Sequence, residues 1–133
     1  MNDKPFLDTN VLVYAFSDDA RADAADELLR AGGVISVQVL NEFVNVSRRK
    51  LSFKWTEVDN ALNEFKDLLN PAIPLTAELH ERAVEIARKH KLRIYDSLIV
   101  AAAIAAGCPI LYTEDMQHGR KIGGTIIRNP FRA

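Results

Sequence analysis

Short apolar runs alternate along this chain with longer stretches of helical periodicity. The first run, Phe6-Leu7, stops at Asp8 and is followed by Val11, Leu12 and Val13. Proline is tolerated at a strand's first position, so Pro5 does not argue against a short strand here. Thr9 or Asn10 is placed to cap a short helix through Phe16. Asp18 or Asp19 is placed to cap a second one, with Ala22, Ala25, Leu28 and Leu29 inward, running to Ala31 and stopped by Gly32-Gly33. Val34-Ile35 predicts a second strand, and Ser36 a cap for a helix reaching Lys50. At 100° per residue, Val39, Leu40, Phe43, Val44 and Val46 form one stripe on that helix, while Asn41 and Asn45 point away. Glu42 falls at the stripe's edge, where a partly buried carboxylate is costly unless something positive meets it.

The second half repeats the alternation. Thr56 and Asp59 match a capping box, and Val58, Ala61, Leu62, Phe65, Leu68 and Leu69 keep helical spacing until Pro71. Ile73-Pro74-Leu75 suggests an edge strand, and Thr76 caps a helix with Leu79, Ala83, Ile86 and Ala87 inward. From Tyr95 the chain is apolar all round after Asp96 and Ser97, which describes a helix packed on every side. Asp96 lies at its start, where the macrodipole favours an anion, and Gly107 supplies the stop. Ile110-Leu111-Tyr112 predicts a third strand that also runs into acids, Glu114 and Asp115, and Thr125-Ile126-Ile127 a last one. Short buried strands alternating with helices indicate an α/β fold with a parallel sheet covered on both faces.

Length and composition narrow the function classes. The 133 residues fit one domain, 1–133, with 48% hydrophobic and 26% charged residues. The longest apolar run, Leu98 to Ala106, is far short of the ~20 residues of a membrane span. The first residues lack the features of a secretory signal and Cys108 is alone, so a cytoplasmic location is expected. A net charge of −1 argues against a general polyanion binder. Any nucleic-acid contact must be local, at such runs as Arg48, Arg49, Lys50 and Lys54.

Parallel strands present their carboxyl ends on one rim, so Asp8 and Asp115 can meet there, joined by Glu42 and Asp96 from flanking helices. Two carboxylates ~5 Å apart at an effective dielectric near 20 repel by roughly 3 kcal/mol. Such a cluster must protonate, spread or bind a cation. Oxygen ligands without Cys or His favour Mg²⁺ or Mn²⁺, and metal-assisted phosphoryl chemistry is the best-attested use of that arrangement. Each acid taken singly has a plainer account as a helix cap, a turn residue or an exposed charge.

Four segments resemble the PIN-domain ribonucleases of the VapC toxin type: Phe-Leu-Asp-Thr-Asn-Val-Leu at 6 to 12, Ser-Val-Gln-Val-Leu-Asn-Glu-Phe at 36 to 43, Tyr-Asp-Ser-Leu-Ile-Val-Ala-Ala-Ala at 95 to 103, and Leu-Tyr-Thr-Glu-Asp-Met-Gln-His-Gly at 111 to 119. The family's acidic tetrad corresponds to Asp8, Glu42, Asp96 and Asp115. The resemblance implies a three-layer α/β/α sandwich with a mainly parallel sheet of about five strands. It implies a metal-dependent endoribonuclease with Mg²⁺ or Mn²⁺ on Asp8, Asp96 and Asp115, and Glu42 completing the site or positioning the attacking water. Thr9, Asn10, Thr113 and Glu114 are candidates to support those acids. It further implies an RNA substrate, a small antitoxin partner and a homodimer, with no membrane association. His118 reads as a loop histidine without catalytic duty. Trp55 and Phe53, beside Lys54 and Arg49, are placed either to stack RNA bases or to pack a helix junction. Two other readings compete: a Mg²⁺-binding phosphoacceptor receiver domain, and a PIN fold that only binds. A receiver would carry paired acids after strand one and a lysine after its last strand, where this chain has Asp8 alone and Arg128.

Overall fold

The computed structural model describes residues 3–132. Strand β1 is Phe6–Leu7, and the helices that follow are α1 (Thr9–Ala15), α2 (Ala22–Ala31), α3 (Val37–Arg49), α4 (Trp55–Leu68), α5 (Ala77–His90) and α6 (Ile94–Ala105). Strands β2 (Ile110–Tyr112), β3 (Lys121–Ile122) and β4 (Thr125–Arg128) close the order. The α/β class therefore holds. The sheet has four strands in the order β1-β2-β4-β3 and is mixed: β1, β2 and β4 run parallel, and β3 is antiparallel to β4.

Three differences from the sequence reading concern the sheet. Val34-Ile35 and Ile73-Pro74-Leu75 do not form full strands but extend the sheet past β1 through single parallel bridges, Phe6 to Val34 and Ser36 to Ile73. A proline directly after Ile73 withholds the next ladder donor, and Ser36 already turns into α3, so neither segment has room for more. Strand β3 was not anticipated. It hairpins onto β4 through Gly123-Gly124, with Gly123 at φ +58°, a dipeptide that signals a tight hairpin turn.

Ser36 and Thr76 cap α3 and α5 as expected, accepting from the N–H groups of Val39 (3.3 Å) and Leu79 (3.1 Å). Three other helix starts differ. Asp8 itself, rather than Thr9 or Asn10, is the N-cap of α1, accepting from the Thr9 N–H at 2.7 Å. Helix α2 begins only at Ala22, because Asp19 folds onto the N–H of Arg21 at 2.9 Å. Helix α4 begins at Trp55, one residue before Thr56, and Glu57 rather than Asp59 reaches back, to the Lys54 N–H at 2.9 Å.

The core is one cluster running from Phe6 and Leu7 through α3, α4 and the wholly buried run Ser97–Ala103 to Leu111 and Ile127. Helix α5 packs on α6, which lies against β2 and β4, while α1 packs on α2 and α3. Phe16, Phe43 and Phe65 meet edge to face, with Phe43 and Phe65 centroids 4.9 Å apart. That cluster locks α1, α3 and α4 together, and so sets the rotation of α3 about its axis. No helix among the described residues is long and apolar enough to cross a membrane.

Gly33 lets the chain after α2 approach β1. A Cβ there would meet the Pro5 carbonyl oxygen at 2.9 Å and Leu7 at 3.2 Å. Gly33→Ala is expected to destabilise by about 1–3 kcal/mol, read as a lower urea midpoint at unchanged m-value. An unchanged midpoint would show that β1 can shift freely.

Candidate active site at the carboxyl rim of the sheet

The parallel register pairs Leu7 with Tyr112, and the Asp8 N–H donates to the Tyr112 carbonyl at 3.0 Å. The next residues on the two strands, Asp8 and Thr113, therefore stand side by side. The Thr113 hydroxyl donates to Asp8 Oδ2 at 2.8 Å and accepts from the Asp115 N–H at 3.1 Å. Asn10, in the first turn of α1, donates from Nδ2 to Thr113 Oγ1 and to Asp115 Oδ2, both at 3.2 Å. Its Oδ1 accepts from the Glu114 N–H at 3.4 Å. Two strand ends and the first turn of α1 are thus tied into one network.

Glu42 joins from α3. Its neighbour Phe43 is fully buried, so Glu42 turns toward α1, where the Thr9 hydroxyl donates to Oε2 at 2.9 Å. Asp96 arrives on the first turn of α6, half-buried, with Arg93 3.5 Å away. That arginine is 84% exposed, and among the described residues it is the one cation within ion-pair reach of these four acids. An ion pair so open to water is weak.

The electrostatics follow from this crowding. Burial pushes Asp8 up to about 7, against the hydrogen bonds from Thr113 and Thr9, which favour the anion; Glu42 and Asp115 add repulsion. Glu42 is raised chiefly by burial, with Asp96 and Asp115 adding repulsion and the bonds from Thr9 and Gln38 opposing it. Asp96 is raised by burial too, opposed by Arg93 and reinforced by Asp115. Asp115 therefore acts on each of the other three carboxylates.

A cavity of about 500 Å³ opens beside them, lined among others by Asn10, Tyr14, Glu42, Lys50, Glu114 and Asp115. A larger one of about 600 Å³, between α3 and α4, is apolar and holds none of the four acids. The donor set at the rim is all oxygen. Among the described residues no three acidic, imidazole or thiol groups converge closely enough to grip an ion directly. Magnesium commonly keeps several waters and takes only one or two carboxylates, so this donor set still suits a hard divalent ion.

All four expected acids reach one rim, and Thr9, Asn10 and Thr113 contact them. Glu114 differs: its carboxylate accepts from the Tyr14 hydroxyl and pairs with Arg21 at 3.1 Å, away from the tetrad. Tyr14 and Arg21 were not foreseen. Arg21 is clamped by Asp19 and lies 4.2 Å over the Tyr14 ring. Gln38 was also missed, although its place one turn before Glu42 on the same helix face was readable. His118 accepts from the Asn129 N–H at 2.9 Å and so pins a loop. Phe53 packs against Phe16 in the core, while Trp55 is exposed with Arg48 stacked 4.4 Å over its ring.

The PIN domain family model matches residues 6–122. No curated protein is similar enough to count as a relative. VapBC2 of Rickettsia felis, bound to a fragment of its promoter DNA, is similar at 28% identity and TM-score 0.66, over 94% of this chain and 97% of that one. VapC20 of Mycobacterium tuberculosis, a toxin that cleaves the sarcin-ricin loop, shares 24% identity at TM-score 0.67, over 84% of this chain and 89% of its own. A toxin-antitoxin complex from Klebsiella pneumoniae shares 21% identity at TM-score 0.73, over 97% and 99%. The last two likenesses speak for the fold.

Two outcomes follow for the metal-free protein. Between its ordinary value of 3.8 and about 7, Asp8 is protonated when folded and ionised when unfolded. Stability should therefore fall as pH rises through that window, by roughly 2–4 kcal/mol in all. Urea midpoints measured in chelator from acid to neutral pH should decline, and Asp8→Asn should flatten most of the slope; an equal slope in the variant would refute the assignment. Thr113→Val deletes the hydroxyl shared by Asp8, Asn10 and Asp115 and should cost about 1–3 kcal/mol, checked in the same titrations.

Proposed function

The chain belongs to the PIN-domain family, and from that premise we infer that it is a divalent-metal-dependent ribonuclease, the toxin of a toxin-antitoxin pair. The observation that carries this reading is the gathering of Asp8, Glu42, Asp96 and Asp115 on one rim with almost no compensating charge. Repulsion left standing in a folded site is relieved by a cation. Bound Mg²⁺ or Mn²⁺ would lower the pKa of a water and neutralise charge on the phosphate.

The chain's own groups have distinct parts in this mechanism. Asp8, Asp96 and Asp115 would hold the ion, directly or through water. Thr113 and Asn10 keep Asp8 and Asp115 in place. Glu42, fixed by Thr9 and with its proton affinity raised, orients the attacking water and can take its proton as the phosphodiester is hydrolysed. Lys50 supplies a cation in the adjoining cavity for the RNA backbone. A small antitoxin partner follows from the resemblance and is supported by the likeness to VapBC2. Homodimer formation follows from the resemblance alone, and the lone Cys108 favours a cytoplasmic location. We take the segment at 34–36 to stand in the place of the fifth, parallel strand of the α/β/α arrangement, reduced here to single bridges.

The test is cleavage of a mixed RNA pool. Cutting is expected with Mg²⁺ or Mn²⁺, none with chelator, and a loss of about 10²-fold or more in Asp8→Asn and Asp96→Asn. Full activity in a folded Asp8→Asn protein would sink the mechanism. A wild type that cuts nothing yet accepts phosphate from a small phosphodonor would be a receiver instead.

A further inference from the structure

Glu42 and Asn45 line two adjoining cavities. One also holds Asp115 and Lys50; the other, about 400 Å³, is lined by Gln38, Asn41, Glu42, Asn45 and Tyr95. The second contains no cation and, apart from Glu42, no charge. Its floor is α3, where Gln38 is buried and bonded to Glu42, while Asn41 and Asn45 are exposed, with no partner for either amide among the described residues. Its wall is Tyr95, the residue before Asp96, 62% exposed. Exposed large hydrophobic side chains are few among the described residues, and Trp55, the other aromatic, already carries Arg48 on its ring. Tyr95 has no ring or cation partner among the described residues.

We propose that this second cavity is a subsite for one unpaired RNA base next to the phosphodiester that is cut, with Tyr95 as the stacking face and the amides of Asn41 and Asn45 reading the base edge. The inference rests on the ribonuclease reading and adds to it a base preference at one position next to the cut. An open aromatic ring beside free amides is what unpaired bases require, since every base has a π-face and an edge of donors and acceptors. An Asn amide offers both a donor and an acceptor to that edge. The absence of a cation suits a base rather than a phosphate. Lys50, eight residues beyond Glu42, stands roughly 12 Å farther along the axis of α3, on the other cavity, where the strand's backbone would continue.

The test has two readouts. In chelator, where nothing is cut, polarisation titrations of a labelled short single-stranded RNA should show Tyr95→Ala binding about tenfold more weakly, with Tyr95→Phe close to wild type and both variants melting like it. In Mg²⁺, Tyr95→Ala and the double variant Asn41→Ala with Asn45→Ala should still cut RNA but with a flattened base preference at one position. Unchanged affinity and an unchanged cleavage profile in Tyr95→Ala would overturn the subsite while leaving the ribonuclease reading intact. RNA that is bound through Tyr95 but never cut would uphold the subsite and sink the ribonuclease. Failure of the wild type to bind single-stranded RNA would overturn the subsite.

Discussion

The parallel pairing of β1 with β2 is the constraint on which the rest depends. Because Leu7 stands opposite Tyr112, a carboxylate on one strand and a hydroxyl on the next leave the sheet together, and the Thr113–Asp8 bond joins them. A one-residue slip would turn Asp8 off the rim and Leu7 out of the core, so burial of Phe6 and Leu7 holds the charge where it is. Gly33 serves the same end from the other side of β1 by letting the chain after α2 close on it.

Each remaining acid is delivered by a helix whose rotation is set by packing. The Phe16, Phe43 and Phe65 cluster orients α3, and Glu42 then meets Thr9 rather than solvent. Helix α6 has no polar face along Ser97–Ala103, so the core seizes it on all sides and leaves only its first turn at the surface, carrying Tyr95 and Asp96. Core energy thus holds four carboxyl groups near one another against the repulsion of their charged forms. Asp115 connects them electrostatically, acting on Asp8, Glu42 and Asp96 alike.

Local signals carried much of this. Ser36 and Thr76 were legible as caps because a cap bond spans three residues, and α6 was legible because a continuously apolar run has few other uses. The misreadings share one cause. Asp8 as the cap of α1, the late start of α2 and the choice of Glu57 over Asp59 depend on which of several adjacent side chains folds back, and neighbouring elements decide that. Glu114 was drawn off by Tyr14 and Arg21, residues 100 and 93 positions away in the chain.

The sequence by itself determined the α/β class, the helix faces and the identity of the acids, because periodicity, caps and residue chemistry act over a few residues. Only the tertiary structure decided that β3 turns antiparallel, that Val34 and Ile73 contribute bridges rather than strands, and that Thr9, Asn10 and Thr113 knit the acids together. It also opened the cavity between Asn41, Asn45 and Tyr95. Those facts are distances between residues far apart in the chain, and register and packing of the folded core set them.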